Sequence, residues 1–175
     1  GYQYVDLVQE GGGVLGIALV GYTYILETAG IRFFSLAGTS AGAINTMMIA
    51  GLGNIGEPVS EKLLDIVSKQ NIFDFVDGNP KIKRLIQKAI DKEKGLVWKL
   101  ILNARRIFLA LKRNLGINPG KSFEEWIEEI LAKEGIKTLN DLSLKRKILP
   151  KGIQFPGSDE SMIPKARLAI ITSDI

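Results

Sequence analysis

The sequence predicts an α/β fold, a parallel-rich sheet flanked by helices with a helical segment inserted into it. Three observations point there. Residues 2–50 read strand, helix, strand, turn, helix, which is how a parallel sheet opens. Residues 58–113 then change to lysine-rich helical patterning without a convincing strand. Finally, RLAIIT at 167–172 restores a short apolar run of the kind that fills a buried strand.

Each element has its own signal. YQYVDLVQ at 2–9 alternates in part and stops at a glycine run, which predicts a strand. Over 14–29, Leu15, Leu19, Tyr22, Ile25, Leu26 and Ala29 recur at helical spacing, and Gly30 ends the pattern. IRFFSLA at 31–37 is the second strand. The small-residue turn GTSAG follows, then a helix from about Ala43 to Ala50 that Gly51 and Gly53 stop. Ser122 with Glu125 reads as a capping box opening a helix through Lys133, ending near Gly135. Residues 145–165, rich in Lys, Pro, Gly and Ser, read as a surface loop. A sheet strand so close to Ile175 predicts a fold that continues past it, so residues 1–175 are expected to be one C-terminally incomplete domain carrying an insertion at 58–116.

The 175 residues suffice for one compact core, and 46% hydrophobic with 24% charged residues is a globular composition. No apolar run approaches the roughly 18 residues of a membrane span, and GYQYVDL does not read as a signal peptide. The expectation is a soluble or peripheral membrane protein, with the compartment undetermined and the cytoplasm slightly favoured. There is no cysteine, so disulfides and thiolate nucleophiles are excluded, and no histidine, so the usual base of serine hydrolases is missing from this chain. The net charge of +4 is unevenly spread. Residues 1–60 hold Arg32 alone against Asp6, Glu10, Glu27 and Glu57, whereas residues 81–113 hold eleven basic residues against Asp91 and Glu93.

Two motifs carry chemistry. Gly38-Thr39-Ser40-Ala41-Gly42 is a G-x-S-x-G between a strand and a helix. A nucleophile on so sharp a turn needs small neighbours, and the turn leaves its hydroxyl exposed at a helix N-terminus. The same turn equally suits Ser40 as an ordinary helix N-cap. The second motif, Gly11-Gly12-Gly13-Val14-Leu15-Gly16, follows the first strand and opens the first helix. Successive glycines allow consecutive N–H groups to face one point, forming a nest for phosphate or for the oxyanion of acyl transfer. The glycine spacing also fits a dinucleotide fingerprint, but the second strand ends without the acidic residue that would hold the ribose. Parallel strands bring both turns to one sheet edge, where a hydroxyl beside backbone donors is the minimum for acyl transfer.

The block VQEGGGVLGIALVGYTYILETAGIRFFSLAGTSAGAINTMMIA resembles the N-terminal part of patatin-like phospholipases. That family joins a glycine-rich oxyanion loop to a GTSAG elbow and uses a Ser–Asp dyad without histidine. GKSFEEWIEEILAKEGIKTLNDL and RLAIITSDI are similar, more loosely, to later segments of the family. The resemblance implies Ser40 as nucleophile, Gly11, Gly12 and Gly13 as oxyanion hole, Gly16, Gly38 and Gly42 as motif glycines, a phospholipid or other lipid ester as substrate, and no cofactor or metal. The family's aspartate lies in a DGG or DGA motif that this chain lacks, so the base is expected beyond it. Asp77 (before Gly78 and Asn79) and Asp174 read better as structural. Many relatives carry Arg or Lys where Leu15 stands, so no cation assists the oxyanion from that position.

Within the insertion, residues 96–113 place Lys99, Asn103, Arg106 and Arg113 on one stripe and Trp98, Ile101, Leu102, Phe108 and Leu109 on a wide opposite face. This suits a cap helix with its charges in water, or a basic amphipathic helix touching an anionic membrane surface. Nucleic acid is not expected as a partner, because the aromatic residues share the apolar face. The expected activity is a phospholipase A-type lipid acyl hydrolase. The rival is a non-catalytic α/β module whose glycine nest holds phosphate and whose cap binds membrane or protein.

Overall fold

A computed structural model describes residues 1–12, 16–75, 80, 83–84, 120–155 and 165–172. Three strands, β1 (Gln3–Gln9), β2 (Ile31–Thr39) and β3 (Leu168–Ile171), form a parallel sheet in the order β1-β2-β3. The helices are α1 (Ile17–Thr28), α2 (Ala41–Leu52), α3 (Ser60–Ser68), α4 (Lys121–Lys133) and α5 (Leu139–Lys145), with one 3-10 turn at Ile72–Phe75. This is the parallel α/β architecture the sequence predicts. Contacts divide the chain into two compact units, Gly1–Lys69 with Ile130–Ile175, and Gln70–Glu129.

In the first unit β2 is central and largely buried, as its near-continuous apolar run requires of a middle parallel strand. Gln9 pairs with Gly38, and Gly38 in turn with Ile170, so the turns leaving β1 and β2 open at the same carboxyl edge. The β1–β2 ladder shifts register between Val5 and Leu7. There the Ser35 N–H donates to Asp6 Oδ1 at 3.1 Å. Arg146, at the end of α5, donates through Nη2 to the carbonyls of Phe33 and Phe34 at 3.2 and 2.5 Å. The guanidinium thus ties the end of α5 to β2. Burial pushes its pKa down to about 10, which still leaves it charged near neutral pH.

α2 consists of small and apolar residues around its whole circumference, and it is buried accordingly from Gly42 to Leu52 at nine positions. It packs mainly on β2. Leu36 on the strand and Met48 on the helix are each 1% exposed. α1 behaves differently from its expected stripe. Tyr22 and Ile25 are exposed, and the buried positions are Val20, Thr23 and Glu27. The reason is polar. Glu27 accepts from the N–H groups of Val59 and Ser60 and from the Ser60 hydroxyl, so its carboxylate caps the N-terminus of α3. That bond turns a different face of α1 inward.

α3 falls inside the expected insertion at 58–116, yet belongs to the first unit and packs on α1. α4 begins at Lys121, so Ser122 occupies its second position instead of the N-cap. The capping box in this part of the chain belongs to α5. There Thr138 Oγ1 accepts from the Asp141 N–H, and the Asp141 carboxylate accepts from the Thr138 N–H. Of the expected loop at 145–165, Lys145 ends α5, and the other described residues, 146–155 and 165, are turn and irregular backbone. In the second unit Phe75 contacts Phe123 and Trp126 at centroid distances of 5.2 and 5.1 Å. The amphipathic stretch at 96–113, Asp77 and Asp174 lie outside the described residues. Among the described residues no helix is long and apolar enough to cross a membrane.

Candidate active site

Ser40 sits on the single turn between β2 and α2, with φ 53° and ψ −126°. It is the only non-glycine residue at positive φ among the described residues. Such a backbone costs about 1–3 kcal/mol, and persists only where its surroundings hold it. Ser40 is exposed, stands at the N-cap of α2, and makes no side-chain capping hydrogen bond. Its carbonyl instead accepts from Ala43 and Ile44. The hydroxyl is thus exposed at a helix N-terminus without capping it, which is not how a serine kept for capping is used.

The motif glycines explain how the turn packs. A Cβ on Gly38 would collide with the Gly42 carbonyl. One on Gly42 would lie 2.5 Å from the Gln9 carbonyl oxygen and 2.7 Å from that of Glu10. One on Gly11 would lie 2.5 Å from Ser40 Cβ and 2.9 Å from Ser40 Oγ, and one on Gly16 would lie 2.5 Å from Ala41 Cβ. Side chains at these positions would push the two turns apart. With hydrogen there, the backbone leaving β1 lies directly against Ser40. Gly12 is exposed on that same loop, while Gly13 and Leu15 lie outside the described residues.

The local electrostatics come from the backbone. Arg32, the only cation in residues 1–60, is 5% exposed. It donates to the carbonyls of Glu27, Ile31 and Gly56 and lies 4.1 Å over the Tyr2 ring. That leaves peptide N–H groups and the α2 dipole as the source of positive potential beside Ser40 within residues 1–60. A hydroxyl oxygen facing backbone donors can attack an acyl carbon and have the resulting oxyanion stabilised. Among the described residues no three of His, Cys, Asp or Glu gather as metal ligands would.

The patatin-like phospholipase family matches residues 7–166, most of the chain and both glycine motifs. The chain belongs to this family. It is also 32% identical over 185 aligned positions to the uncharacterized protein YqhO of Bacillus subtilis (strain 168). That match covers 98% of this chain and 56% of YqhO, so the chain spans about half the length of the relative. No solved structure matches. The parallel sheet with flanking helices agrees with the patatin-like α/β fold.

Reading the sequence did not find four buried polar residues that shape this patatin-like domain. Glu27 caps α3, Arg146 serves the carbonyls of β2, and Gln9 and Asn45 bond to each other behind the Ser40 turn. All four are less than 7% exposed. Only periodicity hinted at them, since each falls in or beside an element facing the core.

Proposed function

We propose that the protein containing this chain hydrolyses carboxylic ester bonds of glycerophospholipids, a phospholipase A-type reaction, with Ser40 as nucleophile. Ser40 Oγ attacks the ester carbonyl carbon, and its proton passes to an aspartate supplied from outside residues 1–175. Negative charge on the former carbonyl oxygen is held by the N–H groups of the Gly11–Gly13 loop. Collapse expels the lysolipid alcohol, which recovers the proton and leaves an acyl-serine. Water then attacks the acyl carbon with the same carboxylate as base, releasing fatty acid and restoring Ser40.

One observation carries the reading. The only strained non-glycine backbone among the described residues belongs to the serine of G-x-S-x-G, with the glycine loop in van der Waals contact with it. Strain concentrates at functional sites. The test uses the full-length protein and a fluorophosphonate probe, which reacts only with an activated serine. The wild type should be labelled and should release fatty acid from phospholipid vesicles. Ser40→Ala should abolish both. Labelling that persists on another serine would overturn the assignment, and a wild type neither labelled nor active would leave the glycine nest as an anion-binding module.

A further inference from the structure

Behind the Ser40 turn lies a pair of buried amides that acyl transfer itself does not use. Gln9 ends β1, just before the glycine loop, and Asn45 lies on α2, just after the Ser40 turn. Each is 4% exposed, and Asn45 Nδ2 donates to Gln9 Oε1 at 2.8 Å. Each amide also keeps one buried polar atom, Gln9 Nε2 and Asn45 Oδ1, with no hydrogen-bond partner among the described residues. For stability alone this is a poor arrangement. Two apolar side chains of similar shape would fill the same space without desolvating atoms that gain no partner.

What the pair does supply is a directional side-chain link between the two segments, among the described residues. Along the chain, Gly11 and Ser40 are separated by the whole of α1 and β2. The β1–β2 ladder ends at the pairing of Gln9 with Gly38. Past that point the loop and the turn meet through glycine backbone contacts, Gly42 against the Gln9 and Glu10 carbonyls and Gly11 against Ser40. Such contacts limit how closely two segments approach, but they set no outer limit, because dispersion is weak and non-directional. A hydrogen bond sets the separation from both sides.

We propose that Gln9 and Asn45 are positioning residues, whose hydrogen bond holds the Gly11–Gly12 loop at the distance from Ser40 that an oxyanion requires. The inference rests on the acyl-transfer reading above. Oxyanion donors must lie about 2.7–3.1 Å from the developing charge, and a misplacement of about 1 Å can cost about a hundredfold in rate. A link fixed to a few tenths of an ångström therefore has a function here that a softer apolar contact would not perform.

The experiment uses the full-length protein and a soluble short-chain ester. Replacing the bond with the apolar pair Gln9→Met and Asn45→Leu should lower kcat by about ten- to a hundredfold and leave KM within about twofold. Fluorophosphonate labelling should slow in parallel, while the melting temperature stays level or rises. The exchanged pair Gln9→Asn with Asn45→Gln moves one methylene across the bond and preserves its span. It should recover kcat to within about threefold of wild type, above either of its single variants. If the apolar pair does not fold, that ordering of exchanged pair over singles decides the matter. Unchanged kcat in the apolar pair overturns the proposal. So does a loss of kcat that follows a loss of stability without recovery in the exchanged pair, since that is ordinary core packing. Ser40→Ala run alongside separates the two layers. Activity surviving it removes the acyl-transfer reading and this inference together, whereas Ser40-dependent activity indifferent to the amide pair removes this inference alone.

Discussion

At Ser40 the backbone stands at φ 53° because the turn must reverse between β2 and α2 within one residue, and its neighbours leave no gentler path. The glycines around it serve different ends. Gly38 and Gly42 allow strand, turn and β1 backbone to close on one another, whereas Gly11 faces Ser40 itself. Gly11→Ala is therefore a sharp test of the site. The added methyl would meet Ser40 Cβ at 2.5 Å and Oγ at 2.9 Å, so the loop or the serine must shift. Gly11 is exposed and its φ is not in the left-handed region, so the fold should survive. We expect kcat to fall by on the order of a hundredfold, the scale of a lost oxyanion donor, with an unchanged circular dichroism spectrum. A kcat within about threefold of wild type would show that the loop does not serve the reaction.

Among the elements, two helix starts are secured by carboxylates in contrasting ways. α3 is capped from a distance by Glu27 of α1, a buried carboxylate whose bonds link two helices. α5 is capped locally by Thr138 and Asp141, exposed on the surface. In the second case the N–H of Lys137, then the hydroxyl and N–H of Thr138, hold the Asp141 carboxyl below the ordinary aspartate range. A carboxyl with a depressed folded-state pKa stabilises the fold above its unfolded value and loses that contribution as pH falls through the folded one. Asp141→Asn should therefore lower the melting temperature at pH 7, and the gap from wild type should narrow as pH falls below the ordinary aspartate range. A gap independent of pH would show that the charge of Asp141 plays no part in the cap. α5 also delivers Arg146 to β2, so this short helix positions a buried cation as well as covering the sheet.

For the whole molecule, charge is the dominant asymmetry. Arg32 is the single basic residue of 1–60 and is engaged with carbonyls, while residues 81–113 carry eleven basic residues against two acidic ones. Apart from Lys83 and Arg84, that segment lies outside the described residues, and its reading rests on sequence alone. The proposal is that it brings the enzyme to anionic lipid, where each basic residue near the surface contributes about 1 kcal/mol. Changing Lys99, Arg105, Arg106, Lys112 and Arg113 to Glu should weaken co-sedimentation with anionic vesicles by orders of magnitude. Binding of the wild type should fall as salt rises, and turnover of a soluble short-chain ester should hardly change. Equal binding of both proteins to anionic and zwitterionic vesicles would reduce the segment to a solvated helical face.

The three strands, the helices between β1, β2 and the insertion, and the shared edge of the two glycine turns were legible in the sequence, whereas α5 was not among the elements it predicts. Each follows from local chemistry: apolar runs too short for helices, glycines where side chains cannot fit, and a serine between them. β2 and α2 appear where these signals place them, longer by a few residues because a strand or helix continues as far as its neighbours keep bonding it. The inward face of α1 was not legible. Its apolar residues go round the helix, and the buried face is chosen by Glu27 reaching α3, a partner 33 residues on. The same holds for Arg146, which lies in a lysine-rich stretch that reads as surface yet donates across 112 residues to Phe34. Gln9 and Asn45 are a third case, 36 residues apart. A glycine declares its need for space in its own composition, whereas a buried polar side chain is explained only by the partner that tertiary structure brings to it.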